Sequence, residues 1–183
     1  MSRHRIGIIV GSNRRESINR RLALALAKLL STSCECIFIK IDDLPMYNQD
    51  LEGHRPDVVN RFTAEVAATD ALLFVSPEHN RSVTAVLKNA IDWGSKPAEA
   101  NVWRGKPAAI TGTSFGAIGT AVGQQHLRQI LGILSMTVMG GEAYISFKPD
   151  PVDHDGNFVD DSRLAFCKAY MDRFVALVDK LVP

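Results

Sequence analysis

The sequence predicts an α/β fold in which a doubly wound, five-stranded parallel sheet carries helices on both faces. Short apolar runs alternate with longer amphipathic patterns along the whole chain, as in the crossover units that join parallel strands. Each apolar run is nearly continuous at its centre, which is typical of strands buried on both faces. The 183 residues, of which 46% are hydrophobic, suffice for one sizeable core and contain no linker or repeat. We therefore expect residues 1–183 to form a single domain.

Five apolar runs are expected to form the strands. The first contains three isoleucines and a valine and ends at the turn residue Gly11, and the second contains three further isoleucines. The third, Ala-Leu-Leu-Phe-Val-Ser, stops at Pro77, and the fourth follows a Gly-Lys-Pro turn. In chain order the expected strands are Arg5–Val10, Cys34–Ile41, Ala71–Ser76, Pro107–Thr111 and Thr137–Tyr144.

Amphipathic patterns between these runs predict five helices. In the first, Leu22, Ala25, Leu26 and Leu29 recur at helical spacing. A proline opens the second, a glycine-rich turn precedes the fourth, and a surface loop rich in Asp, Pro and Gly leads into the last. The expected helices are Ser17–Leu30, Pro56–Ala68, Val83–Trp93, Ile118–Leu134 and Asp161–Leu181.

This alternation fits the flavodoxin-like strand order 2-1-3-4-5, although other orders also satisfy it. In that order, strands one and three flank the point at which the winding direction reverses. Open α/β sheets bind ligands there, outside the carboxyl ends of the strands. The turns that follow strands one, three and four are therefore the places to look for a site.

Composition narrows the class of partner. The 21 basic residues nearly balance the 20 acidic ones, and a formal charge of +1 gives no strongly basic surface for nucleic acid. We expect a small-molecule partner. The apolar run near the amino terminus, Ile6–Val10, is too short for a signal peptide or a membrane span, so we expect a cytoplasmic protein with no membrane partner.

Two short motifs invite a metal interpretation, and neither has the required spacing. Cys34 and Cys36 lie two apart in an expected strand, so they share a face and are interpreted as structural thiols. The segment Asp153–Gly156 alternates carboxylates before a glycine, as a calcium loop does. Pro151 and Ser162 then stand where the first ligand and the bidentate Glu should be. We expect a turn and no metal site.

The turn after the first strand has the chemistry of a phosphate site. It begins at Gly11 and carries hydroxyls at Ser12 and Ser17, a guanidinium at Arg14 and an amide at Asn19. Free N–H groups at the start of the following helix favour an anion there. The alternative is that Ser17 only caps the helix while the arginine is solvated. Neither the dinucleotide fingerprint nor the ATP-binding P-loop pattern is present.

The turn after the third strand can cover a planar ring. Pro77 would fix the backbone, and Glu78, His79 and Asn80 offer amides and side chains to a heterocycle with edge donors and acceptors, such as a flavin. An ordinary polar loop is the alternative. After strand four comes a glycine-rich turn over 112–119, which faces the same crevice. Its Phe115 is as readily a packing residue as a ring neighbour.

Together these turns resemble the NADPH-dependent FMN reductase family, and in particular its quinone and chromate reductase members. The first turn matches Gly-Ser-x-Arg-x-x-Ser-x-Asn-x-x-Leu-Ala over 11–23. Residues 77–93 resemble Pro-Glu-Tyr-Asn-x-Ser followed by Leu-Lys-Asn-x-Ile-Asp-Trp. Further matches at 105–107, 114–116 and 127–131 extend the resemblance over most of the chain.

The resemblance implies bound FMN and two-electron transfer from NADPH or NADH to a quinone-like acceptor, in a homodimer or homotetramer. Chromate, azo compounds and free flavin are further acceptors in such enzymes. The resemblance also implies the cofactor contacts by matching positions. The phosphate would be held by Gly11, Ser12, Arg14, Ser17 and Asn19, and the isoalloxazine by Pro77, Glu78, His79, Asn80, Ser114, Phe115 and Gly116.

One departure from the family pattern lies in the ring loop. His79 stands where the family usually has Tyr, and Arg81 follows two residues later. The loss of Tyr and the added cation beside the ring are hypothesised to alter the flavin potential or the acceptor preference, and Arg81 is a candidate contact for a phosphate of the nicotinamide cofactor or for a neighbouring subunit. His79 is the one tempting acid or base, but we favour a hydrogen-bonding or packing role, so no side chain is assigned as catalytic.

The expected mechanism is ping-pong: the nicotinamide reduces the flavin and leaves, and the acceptor then takes both electrons. A non-enzymatic electron carrier of the flavodoxin type is the alternative. Balanced charge counts against it, because such carriers usually dock through a strongly acidic face. A phosphorylated receiver domain would need an acceptor Asp where Ser76 and Pro77 stand.

Overall fold

A computed structural model describes residues 3–182, and it has the expected parallel sheet in the order β2-β1-β3-β4-β5. The strands are β1 Arg5–Val10, β2 Glu35–Phe38, β3 Ala71–Val75, β4 Pro107–Ser114, β5 Thr137–Val138 and β6 Tyr144–Ser146. The helices are α1 Ile18–Leu30, α2 Asp57–Ala67, α3 Ala85–Gly94, α4 Ala121–Ile133 and α5 Asp161–Leu181. Two short 3₁₀ helices, Gln49–His54 and Ala98–Ala100, were not predicted.

The prediction of one fifth strand over Thr137–Tyr144 is wrong, because this segment contributes to two short strands. β5 pairs with the amino-terminal end of β4, and β6 pairs with its carboxyl-terminal end. Between them lie Gly140 and Gly141, and Gly141 has a φ of 80°, in the left-handed region that a strand does not use. The detour lets β6 extend the pairing of β4 as far as Ser114, at the edge where ligands bind.

Other boundaries differ from the prediction for local reasons. β2 ends at Phe38 although Ile39 and Ile41 are also buried, so the apolar run is longer than the strand. α4 begins at Ala121 and not at Ile118, since Gly119 has a φ of 59° that a right-handed helix cannot include. Local conformation, more than hydrophobicity, therefore sets these ends.

The core has two halves, one on each face of the sheet. Alternate residues of β3 divide between them: Leu73 packs with α1 and α5, and Leu72 and Phe74 pack with α2 and α3. α5 is further fixed by Tyr170, whose buried hydroxyl donates to the Ile110 carbonyl in β4 at 2.7 Å. The sheet is thus a rigid platform for the loops at its carboxyl edge.

All three cysteines lie among the described residues and are free thiols. Cys34, just before β2, is buried, and Cys36 packs against the same half of the core, so the two share a face. Burial, reinforced by the neighbouring Cys34, raises the pKa of Cys36 to about 11. Burial likewise raises the pKa of Cys167 to about 12. All three cysteines are therefore packing residues. The raised pKa values keep the thiols of Cys36 and Cys167 protonated at neutral pH.

The segment Asp153–Gly156 lies in the loop before α5. Asp153 accepts hydrogen bonds from the Asn157 backbone N–H at 2.8 Å and from its side chain at 3.3 Å, and Gly156 has a φ of 78°. Residues 3–182 contain no cluster of three or more His, Cys, Asp or Glu side chains that could hold a metal ion.

Within the same range, no helix is both long and apolar enough to cross a bilayer.

Candidate cofactor site

The loops after β1, β3 and β4 converge at the carboxyl edge of the sheet around a cavity of about 440 Å³. A second cavity of about 660 Å³ adjoins it and shares Glu78 and Ser114 with it. We call these the first and the second cavity. The first is lined by Gly11, Ser12, Asn13, Arg14, Ser17, Ile18, Asn19, Pro77, Glu78, His79, Thr84, Ala85, Val86, Thr113, Ser114 and Phe115. Asn80 and Gly116 line the second, so every residue implied by the resemblance borders one of the two.

The turn after β1 presents an anion-binding arrangement. Gly11 lies so close to β3 that a Cβ there would be 2.3 Å from the Ser76 hydroxyl oxygen. Ser17 caps α1 by accepting from the Arg20 N–H at 3.3 Å, which is the capping role expected as the alternative. A capping hydroxyl retains its own proton to donate. Arg14 is exposed beside this helix start, where unpaired N–H groups and the helix dipole favour negative charge.

Asn19 joins the first and third turns. Its buried side-chain amide donates to the Thr113 carbonyl at 2.9 Å and accepts from the Thr113 N–H at 2.9 Å. The two residues are 94 positions apart in the sequence. The Thr113 hydroxyl, in contrast, is buried and has no hydrogen-bond partner among the described residues. Because buried polar atoms are rarely left unpaired, this hydroxyl beside the cavity suggests a missing polar ligand.

Thr84 belongs to the site but was missed by the sequence analysis. It caps α3 by accepting from the Leu87 N–H at 3.3 Å, and it donates to the Gly11 carbonyl at 2.8 Å. A threonine before an apolar helical pattern is a capping signal, so the cap could have been predicted. The bond to Gly11 could not, since it links residues 73 positions apart. Thr84 holds the helix after the ring loop against the phosphate loop.

Glu78 ties the ring loop to α4. Its side chain is only 7% exposed, and its carboxylate accepts from the Gly123 N–H at 2.9 Å and from the Arg81 guanidinium at 2.9 Å. Burial disfavours the charged form, but these hydrogen bonds outweigh it and hold the pKa of Glu78 below its ordinary value. Glu78 thus serves as a remote cap for the start of α4.

We expect Glu78→Gln to lower the free energy of unfolding by about 2 kcal/mol at pH 7, because a charge-assisted hydrogen bond at a helix start is lost. Since the native pKa lies below the unfolded one, the stabilisation is complete above the ordinary value of 4.5 and is lost as the pH falls through the native pKa. Melting temperatures of variant and wild type should therefore converge at low pH. Glu99→Gln, which changes an exposed carboxylate, is the control. A difference that persists undiminished below pH 3 would contradict this assignment.

The ring loop closes in a two-residue hairpin. His79 and Ser82 exchange backbone hydrogen bonds of 3.1 and 2.9 Å, while Asn80 and Arg81 have φ values of 50° and 63°. Both central residues are thus left-handed, as in a type I′ turn, whose second position is usually glycine. Asparagine tolerates this conformation, but an arginine there costs about 1–2 kcal/mol. His79 contributes backbone groups to the turn, and its side chain is exposed at the edge of the first cavity.

The third turn is braced by Ser114, which donates to the Gly119 carbonyl and accepts from the Gly116 N–H at 3.2 Å. Phe115 is 53% exposed, and its ring meets the edge of Phe147 at a centroid distance of 5.7 Å. It is therefore a packing residue and a cavity wall at once. The turn thus places the Phe115 ring in the wall of the first cavity and Gly116 and Gly119 in the wall of the second.

Comparison with known proteins agrees with this architecture. A family model described as NADPH-dependent FMN reductase matches residues 4–150. The chain is 43% identical to a 2-hydroxy-1,4-benzoquinone reductase of Burkholderia sp, over 95% of this chain and 96% of that protein. It is also 43% identical to a quinone reductase of Pseudomonas putida, over 94% of both. Among solved structures, FerB, an NAD(P)H:(acceptor) oxidoreductase from Paracoccus denitrificans, superposes with a TM-score of 0.94 at 37% identity and covers 97% of this chain and 98% of FerB. An archaeal flavodoxin, at 15% identity and a TM-score of 0.62 over 96% of this chain and 99% of its own, shares the fold.

Proposed function

The chain belongs to the NADPH-dependent FMN reductase family, and on that premise we propose that it uses FMN, held in the first and second cavities, to pass two electrons from NADPH or NADH to quinone-like acceptors. The convergence of the three turns on one crevice is the observation that carries this proposal. Bound FMN would supply the redox chemistry, a two-electron transfer between the nicotinamide and the acceptor. Binding, orientation and electrostatics are the contribution of the chain's own residues.

The phosphate loop suits the phosphate end of FMN. Ser12 and Ser17 offer hydroxyls, Arg14 a guanidinium, and the start of α1 its free N–H groups. Gly11 lets this loop approach the residue that follows β3, because a Cβ there would lie 2.8 Å from the Ser76 Cβ. The unpartnered Thr113 hydroxyl supports a polar ligand in the same place. We therefore assign the phosphate to this end, with Asn19 holding the cradle in shape.

The ring loop suits the planar end. The hairpin and the hydrogen bond from the start of α4 to the Glu78 carboxylate fix its backbone from Pro77 to Asn80. The hydrogen bond from Thr84 to the Gly11 carbonyl ties the following segment to the phosphate loop. Ser114, Phe115 and Gly116 complete the other side. No acid or base has to be assigned, since the cofactor supplies the reactive atom. This part of the crevice is open, so donor and acceptor can approach the same face in turn, as a ping-pong mechanism requires.

The acceptors that we propose are quinones, consistent with the names of the relatives in Burkholderia and Pseudomonas. Chromate, azo compounds and free flavin are proposed as further acceptors, because an open site imposes little shape selection. We also propose a cytoplasmic homodimer or homotetramer built from a single domain.

The test is an absorption spectrum of the protein after addition of FMN and desalting, followed by anaerobic NADPH. We expect retained flavin that NADPH bleaches and an added quinone then restores. Retained flavin that neither NADPH nor NADH can reduce would favour an electron carrier. No retained flavin at micromolar protein would overturn the assignment of the phosphate and ring loops together.

A further inference from the structure

Arg81 lines the second cavity, next to the ring loop, and its side chain is 68% exposed. Among the residues that line this cavity, Arg81 and Glu78 are the charged ones. Glu78 is already engaged by the start of α4 and by Arg81 itself. A guanidinium has five N–H donors, and the bond to Glu78 uses one of them. The cavity therefore presents a cation with unused donors and no unengaged anion.

This cation is held in a defined place. Arg81 occupies a left-handed turn position where glycine would be free of strain, which is the kind of outlier that accompanies functional positions. The Glu78 carboxylate orients the guanidinium and is itself almost fully buried. Arg81 belongs to the hairpin that closes the ring loop, and it lines the second cavity. On the proposed function, an acceptor ring approaches the cofactor on this side.

We propose that Arg81 makes the enzyme selective for acceptors whose ring carries a negative charge, of which ionised hydroxyquinones are the matching class. The inference rests on the proposed quinone reductase function. A quinone hydroxyl conjugated to the opposite carbonyl is a vinylogous carboxylic acid, so it is ionised at neutral pH and shares its charge between two oxygens. A planar guanidinium can donate one N–H to the ionised oxygen and a second to the neighbouring carbonyl oxygen of the ring. The residue acts on binding, and the two-electron reduction itself is unchanged.

The first measurement is binding, without turnover. Benzoate and benzamide are planar probes that differ in charge, and their dissociation constants can be read from the absorbance change of the oxidised, FMN-loaded protein. We expect Arg81→Gly, which removes the charge and relaxes the turn, to weaken benzoate binding at least tenfold relative to benzamide. Arg81→Lys should retain part of the preference. Arg104→Ala, which removes an exposed cation far from both cavities, should behave as wild type.

The second measurement is the ratio of kcat/KM for 2-hydroxy-1,4-benzoquinone to that for 1,4-benzoquinone, which Arg81→Gly should lower about tenfold. An unchanged ratio would overturn the proposal. So would a variant whose KM rises for NADPH and not for NADH, because Arg81 would then contact the 2′-phosphate that distinguishes NADPH from NADH. A failure of the proposed reductase function is distinguishable from these outcomes, because the wild-type protein would then retain no flavin or its flavin would not be bleached by NADPH.

Discussion

Gly112→Ala is expected to abolish FMN retention and to lower the free energy of unfolding by about 3 kcal/mol or more. A Cβ at this position in β4 would lie 2.0 Å from the Ser76 carbonyl oxygen and 2.6 Å from the Thr120 hydroxyl oxygen. The first of these atoms is backbone and cannot rotate away. β3 and β4 would have to separate at the edge where the ring loop begins, so the cavity would lose its shape. The measurements are chemical denaturation of the FMN-free protein and FMN titration.

Gly132→Ala is the matched control, because it adds the same methyl group in α4 with no atom within 4 Å. Alanine is the better helix former, so this variant should gain about 0.5 kcal/mol and retain FMN. If Gly112→Ala were as stable as wild type and bound FMN normally, the close approach of β3 and β4 would not be a requirement of the site.

Asn19→Asp is expected to have the second largest effect. The carboxylate can still accept from the Thr113 N–H, but it cannot donate to the Thr113 carbonyl, which is buried with it. Losing this bond and burying a charge should lower the free energy of unfolding by about 2–3 kcal/mol. A negative charge beside the phosphate should also weaken FMN binding about 100-fold. Thermal melts and FMN titration measure the two effects separately.

Asn13→Asp is the control that separates the effect of an added negative charge from the loss of the Asn19–Thr113 hydrogen bond. Asn13 lines the same cavity, is exposed and takes no part in the Thr113 bridge. We expect it to weaken FMN binding by electrostatic repulsion without a loss of stability. Equal melting temperatures for the Asn19→Asp variant and wild type would contradict the bridging role of Asn19. An unchanged FMN affinity in both variants would show that the phosphate does not bind at this end of the cavity.

Local signals in the sequence were enough for most of the fold. α5 was predicted with the bounds that it has, and in the structure Asp160 caps its start. β1 was likewise predicted to the residue. The fifth strand was wrong because an apolar run with two glycines was interpreted as continuous. A chain can leave the sheet and return within a few residues, and the left-handed Gly141 lies in that detour.

Many residues that border the two cavities could be predicted from the sequence, whereas the hydrogen bonds that hold them could not. Position after a strand and residue type identify Ser12 or Pro77 as candidates without any structure. The Asn19 bridge to Thr113 and the Glu78 cap on Gly123 join residues 94 and 45 positions apart. Such pairings depend on which turns meet in space, and hydrophobic periodicity contains no information about them. The sequence analysis expected Asn19 and Glu78 to contact the cofactor. In the structure, their hydrogen bonds join the loops around the cavities.

If quinones are the acceptors, as proposed above, the ionisation state of the thiols affects the survival of the enzyme. Quinones are electrophiles that form covalent adducts with thiolates, so a catalyst that handles them risks arylation by its own substrate. The thiolate is the reactive species, and pKa values of about 11 for Cys36 and about 12 for Cys167 keep both protonated at neutral pH. Cys34 is shielded by the core. On the proposed function, the packing that stabilises the sheet would therefore also protect the protein from inactivation by its own substrate.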